Sequence, residues 1–309
     1  MSNLRLDYTH ALAGSVGPEH GLTDAEFDGL REPARAALAA VQARRDRDLR
    51  WLDLPFQSEV HRDVRAFADG ARGRFDHVVV LGIGGSALGT TAVRVALQGP
   101  WADPGVRLYV LDNVDPDFIA PLLEALPPDR TLFNVISKSG GTAETMSQFL
   151  IFRERLVAAL GEAGHRDHMV VTTDAEKGVL REIVRREGSA SFVVPDGVGG
   201  RFSVLSPVGL LPLALAGVDV EGVLAGAAAM DARCREPELE GNPALVYAGL
   251  QHRMQTAKKK PMAVTFAYSQ RLALLSDWYA QLLGESLGKR RSRGGADVFT
   301  GPTPVRALG

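Results

Sequence analysis

The sequence has one cysteine, Cys234, few aromatic residues (6%) and no excess of either charge, with 35 Lys and Arg against 37 Asp and Glu. One thiol excludes an internal disulfide and leaves no cysteine cluster for zinc or for iron and sulfur. A reducing cytoplasmic location is the expectation that follows. Near-neutral charge removes the basic field that would favour nucleic acid or an anionic membrane, so any anion must be held by local groups. No stretch approaches the roughly 20 apolar residues that cross a bilayer, and the first residues lack a basic segment followed by an apolar one. Neither secretion nor membrane insertion is expected.

What is present is ample material for a folded protein: 309 residues, 45% of them hydrophobic, enough for two domains with sizeable cores. Residues 1–56 read as an N-terminal helical segment. Apolar residues recur at near-helical intervals from Thr23 to Arg50 behind a possible cap at Thr23. Trp51, Leu52, Leu54 and Phe56 around Pro55 suggest a buried loop leading to a helix near Glu59 to Asp69.

Residues 57–197 alternate short β-branched runs with longer amphipathic ones. His77 to Leu81, Val106 to Leu111, Leu132 to Ile136, Met169 to Thr172 and Phe192 to Val194 read as strands. Continuous apolar strands separated by helices imply an α/β domain built on a doubly wound parallel sheet. Residues 198–309 read differently. Phe202 to Val220, Glu221 to Arg235, Pro243 to Thr256 and Arg271 to Leu287 look helical, and Met262 to Phe266 is the one good strand. This region is expected to be a second, incomplete α/β domain. The basic, Gly-rich piece from Lys289 to Gly295 reads as a solvated loop, since it has no aromatic residue to stack on a base.

The chemistry is concentrated where strands meet helices. After the first strand, Gly82-Ile-Gly-Gly-Ser86 offers positive φ values and close backbone approach, so that successive N–H groups and a helix N-terminus can face an oxyanion. The loop by itself also fits a plain tight turn, or the short dinucleotide fingerprint Gly82-x-Gly84-x-x-Ala87 with Asp112 as a ribose ligand. After the third strand, Ser137-Lys-Ser-Gly-Gly-Thr-Ala-Glu-Thr145 places Ser137, Lys138, Ser139 and Thr142 at the mouth of an apolar strand. Hydroxyls, free N–H groups and a helix N-terminus suit a phosphate monoester. An imperfect capping box, Thr142 with Thr145, would account for one threonine only.

Two further segments supply charge. Gly199-Gly-Arg-Phe-Ser203 delivers Arg201 on a flexible turn at the start of an apolar helix, where a guanidinium could stabilise an oxyanion or simply lie in solvent. Gln281 and Glu285 stand four apart, on one helical face among Trp278, Leu282, Leu283 and Leu287. Partial desolvation there would favour a carboxylate acting as a base. The competing reading is an exposed Glu285 paired with Lys289, also four residues away.

Taken in order, Gly82-Ile-Gly-Gly-Ser86, Ser137 to Thr145, Gly199 to Pro207 and Gly284-Glu-Ser-Leu-Gly-Lys289 strongly resemble the phosphoglucose isomerase family, which interconverts glucose 6-phosphate and fructose 6-phosphate. The resemblance implies a sugar-isomerase (SIS-type) fold with the substrate between two α/β domains. It implies that Ser137, Ser139 and Thr142 hold the phosphate, with Lys138 close by, and that Gly85 and Ser86 lie against the sugar. Arg201 would stabilise the enediol(ate), Gln281 would orient substrate, and Glu285 would carry the proton between C2 and C1. No redox cofactor or metal is implied, because aldose and ketose share one oxidation level.

The family also implies a homodimer, a catalytic His shortly after the glutamate helix and a Lys near the C-terminus, both associated with ring opening. No His follows His252 here, and the chain ends at Gly309. The expectation is a truncated chain with little isomerase activity on cyclic substrate and with apolar side chains left uncovered. A non-catalytic sugar-phosphate-binding module is the second reading, and an NAD-binding enzyme the third. His165 and His168, spaced for a metal, lack a carboxylate cluster beside them. Met230 and Cys234, four apart, read as packing residues.

Overall fold

The computed structural model describes residues 4–99 and 105–309. The chain opens with a short helix α1 (Ala13–Val16), followed by α2 (Asp24–Asp28), α3 (Arg31–Gln42) and α4 (Ser58–Ala71). Thr23 does cap, in a full capping box with Glu26. The single helix expected from Thr23 to Arg50 is nevertheless broken. Phe27 and Leu30 are drawn into a small core with Leu22, Leu239, Val246 and Leu250, and Gly29 ends α2 between them. Tertiary burial has overridden local periodicity.

A parallel sheet follows: β1 (His77–Leu81), α5 (Leu88–Gln98), β2 (Arg107–Leu111), α6 (Pro116–Ala125), β3 (Thr131–Ser137), α7 (Ala143–Gly164), β4 (Met169–Thr173), α8 (Val179–Glu187) and β5 (Ala190–Val193). All the expected strands form within one or two residues of their expected ends. The strand order is β2-β1-β3-β4-β5, with every pairing parallel. Side chains alternate between faces as a pleated strand requires. Val78 and Val80 join one core with Val64 and Ala68 of α4, while Val79 and Leu81 join another with Phe149 and Phe152 of α7 and Leu180 of α8. Helices therefore cover both faces, which is what continuous apolar strands need.

Helices α9 (Pro207–Leu215), α10 (Val220–Arg233) and α11 (Pro243–Thr256) come next, then β6 (Met262–Ala267), α12 (Ala273–Leu287), β7 (Lys289–Arg291), β8 (Asp297–Thr300) and β9 (Thr303–Leu308). The helix expected from Phe202 to Val220 is split. Gly200–Leu205 is a 3-10 turn, Ser206 is extended and caps α9 through a bond from the Val208 amide, and α9 begins at Pro207. The cause is local, because proline disfavours helical backbone in the residue before it. Leu210, Leu211 and Leu213 of α9 share the core of Val78 and Val80, so this helix is part of the first sheet's packing.

Two corrections fall at the end of the chain. Lys289 to Gly295 is not a plain loop, since Lys289–Arg291 pairs antiparallel with β8 in an exposed hairpin. Met262 to Phe266 is not the sole strand of its region, because β9 pairs parallel with β6, Val264 opposite Val305. Pro304 hid that strand, as a proline inside a run argues against a sheet. Helix α12 covers one face of this pair, where Arg306 bonds Asp277 and Ala263 is buried. On the other face Met262, Val264 and Phe266 stand 63%, 58% and 47% exposed.

Candidate active site

The order β2-β1-β3 means that the chain reverses direction across the sheet between β1 and β3. A crevice opens at the C-terminal ends of the strands at such a reversal, and ligands of doubly wound folds lie there. Both expected phosphate loops sit at that point, one after β1 and one after β3. The first lies against the end of β3: a Cβ placed on Gly82 would lie 3.3 Å from the carbonyl oxygen of Ile136, the residue before Ser137.

In the first loop, Gly84–Ser86 forms a single 3-10 turn with Gly84 at φ +56. Gly85 needs its missing side chain for a different reason. A Cβ there would fall 2.3 Å from the Gly200 carbonyl carbon and 2.6 Å from the Arg201 nitrogen, so the glycine loop lies flat against the arginine turn. Ser203 ties that turn internally, its hydroxyl donating to the Gly200 oxygen at 2.6 Å.

In the second loop three hydroxyls converge. Ser137 Oγ is 2.9 Å from Thr142 Oγ1, and Ser139 Oγ is 3.4 Å from each. Thr142 stands at the N-cap of α7, but its side chain makes no capping bond, so the capping box with Thr145 does not form. The hydroxyl joins the cluster instead. Gly140 at φ +67 makes the turn, and the strand end is pinned by the Thr173 hydroxyl, which donates to the Ser137 oxygen at 2.7 Å. Nearby, Asp174 lies below the usual carboxylate range, chiefly because the backbone amides of Glu176 and Lys177 donate to it; the charges of Lys177 and Lys138 add to this.

Arg201, Gln281 and Glu285 come together. Arg201 Nη1 donates to Glu285 Oε2 at 3.2 Å and its Nε to Ser286 Oγ at 2.8 Å. Gln281 Nε2 donates to Glu285 Oε1 at 3.0 Å, while Gln281 Oε1 is buried with no partner. The glycine loop borders this group, since a Cβ on Gly84 would meet Gln281 Nε2 at 3.1 Å. Lys289 does not pair with the Glu285 carboxylate; its ammonium donates to the Glu285 carbonyl at 2.5 Å. The desolvation expected around Glu285 is not found either, for its side chain is 52% exposed and faces the Arg201 guanidinium. The half-turn of α12 that carries it leaves Leu283 buried and Glu285 at the open edge.

Sequence reasoning missed two supports of Arg201. Ser286 holds the guanidinium from the residue next to Glu285, and the Trp278 indole donates to the Arg201 carbonyl at 3.1 Å. Trp278 is three residues before Gln281, on the same helical face, which was the available signal. The Lys138 side chain reaches the backbone before Gly199, with its ammonium 2.9 Å from the Val198 oxygen and 3.5 Å from that of Pro195. Asp112 lies exposed just beyond the edge strand β2. His165 bonds Glu187 and His168 bonds the Thr131 carbonyl.

Comparison with known proteins agrees with this geometry. The phosphoglucose isomerase family model matches residues 59–305. A glucose-6-phosphate isomerase of Carboxydothermus hydrogenoformans is 42% identical over 99% of this chain and 67% of its own length. One of Thermus thermophilus is 44% identical over 91% of this chain and 64% of its own length. Among solved structures, a hypothetical protein of Thermus thermophilus superposes with TM-score 0.82 at 43% identity, covering 92% of this chain and 66% of the other. A glucose-6-phosphate isomerase of Chlamydia trachomatis gives 0.74 at 29% identity, covering 82% of this chain and 48% of the other. The chain thus spans about two thirds of the length of the curated relatives it matches. No described helix is long and apolar enough to cross a membrane. With a family match across most of its residues and the ordered loops meeting at one crevice, the chain belongs to the phosphoglucose isomerase family.

Proposed function

We propose that this chain carries the sugar-phosphate site of an aldose–ketose isomerase acting between glucose 6-phosphate and fructose 6-phosphate. The observation that carries the reading is the meeting of Arg201, Gln281 and Glu285 beside the glycine loop, at the same sheet reversal as the hydroxyls of Ser137, Ser139 and Thr142. The hydroxyls and the first amides of α7 would take the phosphate, with Gly85 and Ser86 against the sugar. Binding energy from this remote dianion would hold C1 and C2 beside the carboxylate.

The chemistry asked of the remaining groups is within their ordinary range. Glu285 would remove the proton from C2 and return it to C1, and Arg201 would offset the charge that develops on the enediolate oxygens. Gln281 would orient the sugar with its amide, whose unpaired Oε1 can accept from a substrate hydroxyl. The Arg201–Glu285 contact, 3.2 Å long, would keep the carboxylate aimed until substrate arrives.

We propose the division 1–56, 57–197 and 198–309 as the units of the site: the middle unit supplies the phosphate loop and the last supplies Arg201, Gln281 and Glu285. A homodimer and a cytoplasmic location complete the proposal, on the family's account. Titration with fructose 6-phosphate, glucose 6-phosphate and NAD tests it. Sugar phosphates are expected to bind and NAD not to; binding of NAD alone would overturn the reading.

A further inference from the structure

Lys138 stands between two of the hydroxyl-bearing residues, Ser137 and Ser139, so its charge would be taken for a phosphate ligand. Its contacts say otherwise. The ammonium reaches the turn from Pro195 to Val198, which is closed by a bond from the Val198 amide to the Pro195 oxygen at 3.3 Å, and it meets the carbonyls at both ends of that turn. The next residues are Gly199, Gly200 and Arg201. Two glycines give the chain no stiffness of its own there. Fixing what precedes them narrows where Arg201 can lie, beside the bonds its guanidinium makes to Glu285 and Ser286.

The arginine turn is held from three sides. Gly85 lies flat against Gly200, Trp278 donates to the Arg201 carbonyl, and Lys138 anchors Val198, itself fully buried. The Lys138 contact joins the turn to the hydroxyl loop. We propose that Lys138 is a positioning residue that couples the phosphate loop to the arginine turn through the carbonyls of Pro195 and Val198, and does not itself bind the phosphate. This rests on the function proposed above. It deepens that reading by making the placement of Arg201 depend on the loop that receives the phosphate.

The test compares wild type, Lys138→Met and Lys138→Arg by calorimetric titration with inorganic phosphate and with fructose 6-phosphate, and by amide hydrogen exchange from Gly199 to Phe202 without ligand. Lys138→Met is expected to leave inorganic phosphate affinity within about threefold of wild type, because a charge turned away from the anion is largely screened. Fructose 6-phosphate affinity should fall about tenfold, the usual cost of a lost charge-assisted hydrogen bond. Exchange in the turn should quicken by a similar factor, and Lys138→Arg, which keeps a charged donor, should restore most of both. Equal losses for the two ligands with unchanged exchange would make Lys138 a direct phosphate ligand and overturn the proposal. A wild-type chain that binds neither ligand overturns the proposed function, whereas unchanged exchange in Lys138→Met overturns the coupling alone.

Discussion

Gly85→Ala is the sharpest probe of how the site is assembled. Gly85 is not among the residues with positive φ, so alanine meets no backbone strain of its own there. The whole cost is contact. The new methyl would sit 2.3 Å from the Gly200 carbonyl carbon and 2.6 Å from both the Gly200 oxygen and the Arg201 nitrogen. Carbon atoms rest about 3.5–4.0 Å apart, so the loops must separate by more than about 1 Å. These are backbone atoms, which cannot swing aside as a side-chain tip can. Overpacking of this kind costs about 1–3 kcal/mol, a drop in stability that leaves a protein of this size folded. For the site the same shift matters far more, because about 1 Å of misplacement can cost 100-fold in a reaction. Circular dichroism should therefore show a folded variant, while calorimetry shows at least tenfold weaker binding of fructose 6-phosphate. Gly226→Ala is the control: it lies inside α10 with nothing within 4 Å of the new methyl, and should raise Tm by about 2 °C through helix propensity. A Gly85→Ala protein that binds sugar phosphate like wild type would refute the claim that the glycine loop and the arginine turn are in contact.

Glu285→Gln keeps the shape and the neighbours of the carboxylate but removes its basicity. Exchange of a C1 hydrogen of fructose 6-phosphate with solvent, followed by NMR in deuterated buffer, should slow by about 10²–10⁴-fold with affinity nearly unchanged; undiminished exchange would remove Glu285 from its role. Glu26 is held down to about 2 by the Thr23 amide first and then by the Lys258 ammonium. A depressed carboxylate contributes stability above its ordinary value of 4.5 and loses it as pH falls toward about 2. Glu26→Gln should therefore lower Tm at pH 6, with the gap to wild type closing as pH is taken down to 2.5; a constant gap would mean that only packing had changed. Changing Val264 and Phe266 on the open face of β6 to threonine should reduce binding of a hydrophobic dye and concentration-dependent association in light scattering, since both stand about half exposed.

The sheet was legible in the sequence because its strands are apolar on both faces and its helices are not, a contrast that local composition carries by itself. His77 to Leu81 formed as read, and so did Pro243 to Thr256. What failed was decided by distant partners. Nothing near Gly29 announces that Phe27 and Leu30 will be pulled toward α11, and nothing near Thr303 announces that a strand with a proline in it will find Met262. The hairpin of Lys289 to Arg291 is likewise a pairing with residues further on, in a stretch whose composition speaks only of solvent.

The candidate site divides along the same line. Residue types were readable, since serine, threonine and glycine at strand ends, with an arginine on a glycine turn and a glutamate late in a helix, have few structural uses that would place them all together. Orientation was not, and Lys138 shows why. Its place in the sequence says only that a charge follows Ser137; whether the ammonium turns to an anion or to a pair of carbonyls depends on where the turn at Pro195 arrives, across β4 and β5. Glu285 makes the complementary point. Spacing put it on a face with Gln281, but its environment was set by Arg201, eighty-four residues earlier, crossing to meet it. A base for carbon acids can be prepared by taking it out of water or by holding it against a cation that substrate will displace. On the proposed function, the open, arginine-paired Glu285 carboxylate would be of the second kind, and the binding of substrate would be what frees it from Arg201.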